Sequence, residues 1–397
     1  MSQISPPTIG NETANQNLSA RLNAVIDRAI AEQRIVGAVI LVRRHGENLF
    51  HRAAGLADRE AGKPMTEDAL FRLSSVTKPI VATAAMVLVG QGRLGLDEDI
   101  RQWLPDFQPR LANGDIAVIT PRQLLSHTAG LGYRFQESDD RGPYARAGVS
   151  DGLDNADITL AENLRRLASV PLLYAPGRDW GYSLSMDVLG AVIERVCNQP
   201  LGDAVRELVT GPLRMDDSDF YVRDAERLVT PYVNHSPSPR RLQEGEIIPF
   251  DENAIGVRYS LARAYNRQAF PSGGAGMVGT AGDILTLLET LRQGGSPLLS
   301  ADLVDEMGRD QIGGQSLPDA PGVGFGLGFS VLGDPQAASS PESVGTWRWG
   351  GVYGHSWFVD KTQGLSAVAL TNTLYEGVSG SFVADLRDAI YGVASGE

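Results

Sequence analysis

The chain has 397 residues, 42% of them apolar and 21% charged, with a formal net charge of −13. This fits one or two packed soluble domains, and the acidic surplus argues against nucleic acid or a membrane surface as partner, since like charge repels phosphate. The single cysteine, Cys197, excludes an intrachain disulfide and a thiolate metal cluster, and reads as a small apolar residue on a helix.

Residues 1–17 are polar, with no basic start leading into an apolar run, so they read as a flexible N-terminus and not as a secretory signal. No stretch reaches the roughly 18 apolar residues of a membrane span, and the expected location is cytoplasmic. Without export, the glycosylation triplet Asn11-Glu12-Thr13 carries no weight. Leu18, Leu22, Val25, Ile26, Ala29 and Ile30 recur at helical spacing. Gly37–Arg43 and Asn48–Ala54, joined by His45-Gly46-Glu47, predict a hairpin.

Ser75–Gly90 is apolar on nearly every face, which predicts a buried helix. Pro79 fits only a first turn, so the helix starts close to Ser75. Ser75-Val76-Thr77-Lys78 then puts Lys78 one turn beyond Ser75 on the same face. A serine hydroxyl needs a base to act as nucleophile, and a lysine serves if burial lowers its pKa. The bland alternative is a capping serine with a snorkelling lysine. Against it, this helix offers almost no polar face, and Lys63, Lys78 and Lys361 are the only lysines in the chain.

From 109 to 265, helical patterns such as Leu160, Leu164, Leu167 and Val188, Val192, Val196 alternate with loops rich in Gly, Asp and Pro. His127 follows an apolar helical stretch and reads as a structural histidine bonded to backbone. Tyr182 sits on a loop before a helix, where it can reach a cleft and transfer protons, although taken alone it reads more readily as a half-buried structural tyrosine. Strand patterns return at Gly324–Phe329, Thr346–Trp349, His355–Val359 and Leu365–Thr371, and a last helix covers Phe382–Val393. The paired glycines after Trp349, Gly350 and Gly351, either admit a close-approaching group or mark a bulged core strand. The whole predicts an α/β protein, an antiparallel sheet flanked by helices. Residues 18–108 and 266–397 supply a sheet domain built from both termini, and 109–265 a mostly helical insertion.

Three motifs are discounted on context. Gly148–Gly152 matches the G-x-S-x-G nucleophile elbow at Ser150, but its flanks are loop-like. Gly274–Gly279 matches G-x-G-x-x-G with no strand before it. Lys361-Thr362 reads as a polar turn, and the five histidines show no metal-ligand spacing, so no metal or cofactor is expected.

Together, Leu73–Pro79, Leu124–Gly130, Tyr182-Ser183-Leu184, Pro271–Met277 and Trp349–Asp360 resemble, in order and spacing, the class C β-lactamase superfamily of penicillin-recognising serine hydrolases. The resemblance is to its family VIII carboxylesterases. It implies a β-lactamase-like fold and a serine esterase for small-molecule esters, with Ser75 as nucleophile and Lys78 and Tyr182 as a coupled acid–base pair. It also implies an oxyanion hole at the Ser75 and Val352 N–H groups, and a substrate wall including Trp349, Gly350, Gly351 and Leu184. β-Lactamases of the superfamily carry an asparagine where Leu184 stands and a lysine where Trp349 stands. Their absence points to neutral, short-chain acyl esters over lactams. An acyltransferase, an amidase or a weak β-lactamase on the same residues, a non-catalytic sensor module, and a hydrolase using Ser150 are the rival readings.

Overall fold

The computed structural model describes residues 9–393. Helix α1 (Ile9–Ala31) opens it. Of the expected flexible start 1–17, residues 1–8 lie outside the described residues, and 9–17 belong to this helix. Those first turns are polar and extend a helix whose buried face begins at Leu18, so no periodicity announces them.

Strands β1 (Gly37–Arg44) and β2 (Glu47–Asp58) form the predicted hairpin, and β3 (Lys63–Pro64) adds an edge. From the other end of the chain come β4 (Val323–Phe325), β5 (Ser330–Leu332), β6 (Trp347–Gly351), β7 (His355–Asp360) and β8 (Leu365–Thr371). All pair antiparallel in the order β4-β5-β6-β7-β8-β1-β2-β3, and the termini meet where Ala38 pairs with Thr371 and Arg44 with Leu365.

Gly324–Phe329, expected as a strand, is the end of β4 followed by the turn into β5. Gly326 N–H bonds back to Phe329 O at 2.9 Å, and Gly328 takes φ 101°, so the glycines turn the chain between β4 and β5. The turn presses on the Ser75 helix, since a Cβ on Gly328 would meet Ala82 Cβ at 2.5 Å.

Side chains alternate across β1. Ala38, Ile40 and Val42 face α1 and the C-terminal helix Ser381–Tyr391, while Val39 and Leu41 join the main core. Helix α2 (Thr77–Gly90) crosses that core with Thr77 through Leu88 all buried. Its few polar groups are satisfied locally: Thr83 Oγ1 donates to Pro79 O at 2.7 Å, and Thr77 Oγ1 accepts from Met277 N–H at 3.1 Å. Residues 109–265 supply helices α3 (Pro121–Leu125), α4 (Leu160–Ala168) and α5 (Ser185–Cys197). Leu124, Leu164, Leu189 and Val192 from these helices belong to the same hydrophobic cluster as Val39, Ile80 and Val368, so one core joins the sheet to the helical part. No described helix is long and apolar enough to cross a membrane.

Candidate active site

Ser75 lies in the single turn Ser74–Val76 that leads into α2. Ser74 is held at φ 44°, a strained value for a residue with a side chain. Surrounding contacts hold it there: Leu73 N–H donates to Met277 O at 2.9 Å, and Tyr353 N–H points at Ser74 Oγ at 3.5 Å. Strand β6 ends directly against this turn. A Cβ on Gly351 would lie 2.5 Å from both Leu73 O and Ser74 Oγ, so the close approach that the paired glycines permit is made by the protein's own backbone.

Ser75 Oγ stands 2.6 Å from Tyr182 Oη and 3.1 Å from Lys78 Nζ, which donates a second bond to Gly274 O at 2.8 Å. The lysine is fully buried, its nitrogen 4.6 Å from the Tyr182 ring centre and 5.6 Å from that of Tyr133. Burial lowers its pKa to about 7, opposed by the negative charge of Asp187. The same burial raises the phenol of Tyr182. Near neutral pH, therefore, the amine sheds its proton while the phenol keeps one.

Tyr182 is aimed by the rings around it: His127 at 4.9 Å, Tyr133 at 5.1 Å and Trp349 at 5.4 Å between centroids. His127 is fully buried, and its Nδ1 accepts from Ser183 N–H at 3.2 Å, a backbone bond of the kind its sequence context led us to expect. Desolvation holds it well below the usual histidine range, so it packs as a neutral ring against the tyrosine.

Val352 is the second residue of the turn joining β6 to β7, closed by Gly354 N–H to Gly351 O at 2.9 Å. A backbone N–H at that turn position is not used by the turn itself, and the next residue already touches Ser74. Trp349, half-buried on β6, also meets Phe325 edge-on at 5.2 Å, which leaves an aromatic wall beside the serine. Gly350 follows it, its Cα face closed by His355 O. Leu184 departs from the expected substrate wall. It stands just before α5 with its N–H donated to Gly132 O at 3.3 Å, and its side chain is fully buried in the core.

The discounted motifs sit elsewhere or serve differently. Ser150 is a buried loop residue bonded to Asp154, with its own N–H on Asn163 Oδ1 at 2.8 Å. Lys361 is in the surface turn between β7 and β8 and pairs with Asp305 at 2.7 Å. Gly274, by contrast, lies at the centre of the site through its carbonyl. Three participants escaped the sequence reading: Gly274 itself, Tyr133 and Asp187.

A family model described as Beta-lactamase matches residues 22–391. Esterase EstB of Burkholderia gladioli is 52% identical over 94% of this chain and 95% of its own length. Lovastatin esterase of Penicillium rubens is 27% identical, covering 92% of this chain and 96% of that one. The solved structure described as EstCE1, a hydrolase with promiscuous acyltransferase activity, superposes with a TM-score of 0.94 at 45% identity, covering 96% of this chain and all of that one. With the antiparallel sheet, the serine-led buried helix and matches that run nearly end to end, the chain belongs to the β-lactamase family.

Proposed function

We propose that the protein is a serine carboxylesterase for short-chain acyl esters, acting through an acyl-enzyme on Ser75. The observation that carries this reading is the convergence of Tyr182 Oη and Lys78 Nζ on Ser75 Oγ at 2.6 and 3.1 Å, with the amine buried enough to be a base near neutrality. The 52% identity to an esterase over almost the whole chain supports the ester as the bond cleaved.

In the first half-reaction Ser75 Oγ attacks the ester carbonyl carbon, and its proton passes to the Lys78/Tyr182 pair. The carbonyl oxygen becomes an oxyanion, which the N–H groups of Ser75 and Val352 stabilise. The C–O bond to the alcohol then breaks, and the pair returns the proton to the departing alkoxide. Water repeats the sequence on the acyl-serine and releases the acid. Both groups touch Ser75 Oγ, so the proton's path is written through the pair, with the amine, which sheds its proton near neutrality, as its basic member.

Trp349 supports the neutral-ester preference, because an aromatic ring there offers no charge to a substrate carboxylate. The likeness to EstCE1 favours a second outcome for the same acyl-enzyme, capture by an added alcohol in place of water. Cytoplasmic residence belongs to the same proposal, and cell fractionation checks it. The test is hydrolysis of p-nitrophenyl acetate, butyrate and octanoate beside a chromogenic cephalosporin. The proposal expects fast cleavage of the short esters and little ring opening; strong lactam turnover with weak esterase activity would sink it.

A further inference from the structure

Helix α5 carries a carboxyl where its packing calls for an apolar side chain. Asp187 is fully buried between Met186 and Val188, and neither of its oxygens has a hydrogen-bond partner. Ser272, whose hydroxyl is likewise unpartnered, and the Gly274 amide flank it without closing a bond of good geometry. An unsatisfied buried carboxyl costs stability, and an apolar residue would pack there without that cost. What the carboxyl faces is therefore informative. The missing side chain of Gly274 leaves a notch into which three groups point: a Cβ there would lie 2.7 Å from Asp187 Oδ2, 3.2 Å from Tyr133 Oη and 3.5 Å from Lys78 Nζ.

We propose that Asp187 is a positioning residue acting through Lys78: its buried carboxyl holds the amine in the notch beside Ser75 and sets the pH below which that amine is protonated and the site is idle. This rests on the reading of Ser75 and Lys78 given above.

The other groups around the pair do not replace it. Lys78 is faced by Ser75, Tyr182 and Tyr133, with the neutral His127 behind the Tyr182 ring. Both phenols are raised by burial and stay protonated. Arg263 is the one other cation bearing on Asp187, but its guanidinium is spent on the carbonyls of Asp154 and Phe270, at 2.8 and 2.5 Å. Asp151, pushed up to about 8 by burial, accepts from the N–H groups of Arg134 and Phe135 and bears on Tyr133 and Tyr144 rather than on Lys78. Asp187 is thus the acid next to the lysine. Burial raises it to about 6 and lowers Lys78 to about 7, and each group's charge favours the charge of the other.

The pH dependence of kcat/KM on p-nitrophenyl butyrate tests this in the wild type, Asp187→Asn and Asp187→Glu. With the carboxyl gone, the amine loses its proton more readily, so the acid limb of Asp187→Asn moves down by about one pH unit. Asp187→Glu, which keeps the charge, restores the limb towards its wild-type position. A limb that stays in place in the Asn variant overturns the inference. Should that variant fail to fold, the unmutated protein decides. Among only three lysines, a 13C label at Cε isolates Lys78, and its resonance shows two inflections, one of them Asp187's. A single inflection overturns the inference. Ser75→Ala separates the two levels: surviving esterase activity there defeats the nucleophile assignment, whereas an inactive Ser75→Ala with an unmoved Asn limb defeats only the role of Asp187.

Discussion

Replacing Lys78 by methionine should abolish turnover and yet leave the folded protein at least as stable at neutral pH. A lysine ordinarily titrates at 10.5 and is held here at about 7 by burial. Each pH unit of that difference corresponds to about 1.4 kcal/mol, so keeping the amine in the fold costs on the order of 5 kcal/mol at neutral pH. The substitution also removes the bonds to Ser75 Oγ and Gly274 O, worth about 1 kcal/mol each. Asp187 also loses the positive charge that favours its ionised form, which offsets about 1 kcal/mol more, so the expected net gain is about 1–2 kcal/mol. Between about pH 7 and 10.5 the unfolded chain binds more protons at this lysine than the folded one, so this contribution makes wild-type stability rise with pH across that window. The methionine variant lacks that increment, and its advantage therefore disappears towards about pH 10. Guanidinium unfolding midpoints of both proteins at neutral and alkaline pH measure it. Parallel pH profiles, or a variant less stable throughout, would refute the burial argument for Lys78 as base.

Tyr182→Phe removes the 2.6 Å contact to Ser75 Oγ while keeping the ring packing, so kcat should fall by roughly 10²–10⁴ with little change in the thermal midpoint. Leu184→Asn, which restores the residue that β-lactamases carry there, places an amide in a fully buried position; calorimetry should record a loss of about 1–3 kcal/mol, with no gain in cephalosporin turnover. Gly274→Ala fills the notch against Asp187 Oδ2 and Lys78, and steady-state assays should find kcat reduced at least tenfold with the far-ultraviolet circular dichroism unchanged.

The parts of the site that were legible in the sequence are those tied to a local rule. Pro79 fixed where α2 begins, which fixed the shared face of Ser75 and Lys78, and the β1–β2 hairpin followed from two strand-like runs around the His45-Gly46-Glu47 turn. Tyr182 and Val352 acquired roles only through the resemblance, because a loop tyrosine and a turn amide have no periodicity of their own. Gly274 was hidden by a more familiar glycine pattern, since its part is played by a backbone carbonyl. Asp187 left one faint signal, an acid inside the apolar run Met186-Asp187-Val188-Leu189. Whether such an acid faces solvent or a buried amine depends on tertiary packing from the Ser272–Gly274 loop, nearly ninety residues on. Leu184 shows the converse: its departure from the β-lactamase residue was plain, but its inward orientation is set by the start of α5.

The central claim is that Ser75 carries the acyl group. Intact-protein mass spectrometry after acid quenching of a reaction with p-nitrophenyl butyrate, followed by peptide mapping, tests it most directly. The account predicts one butyryl adduct, located on Ser75, with neither adduct nor esterase activity in Ser75→Ala. An adduct on Ser150, or turnover that persists in Ser75→Ala, would contradict it.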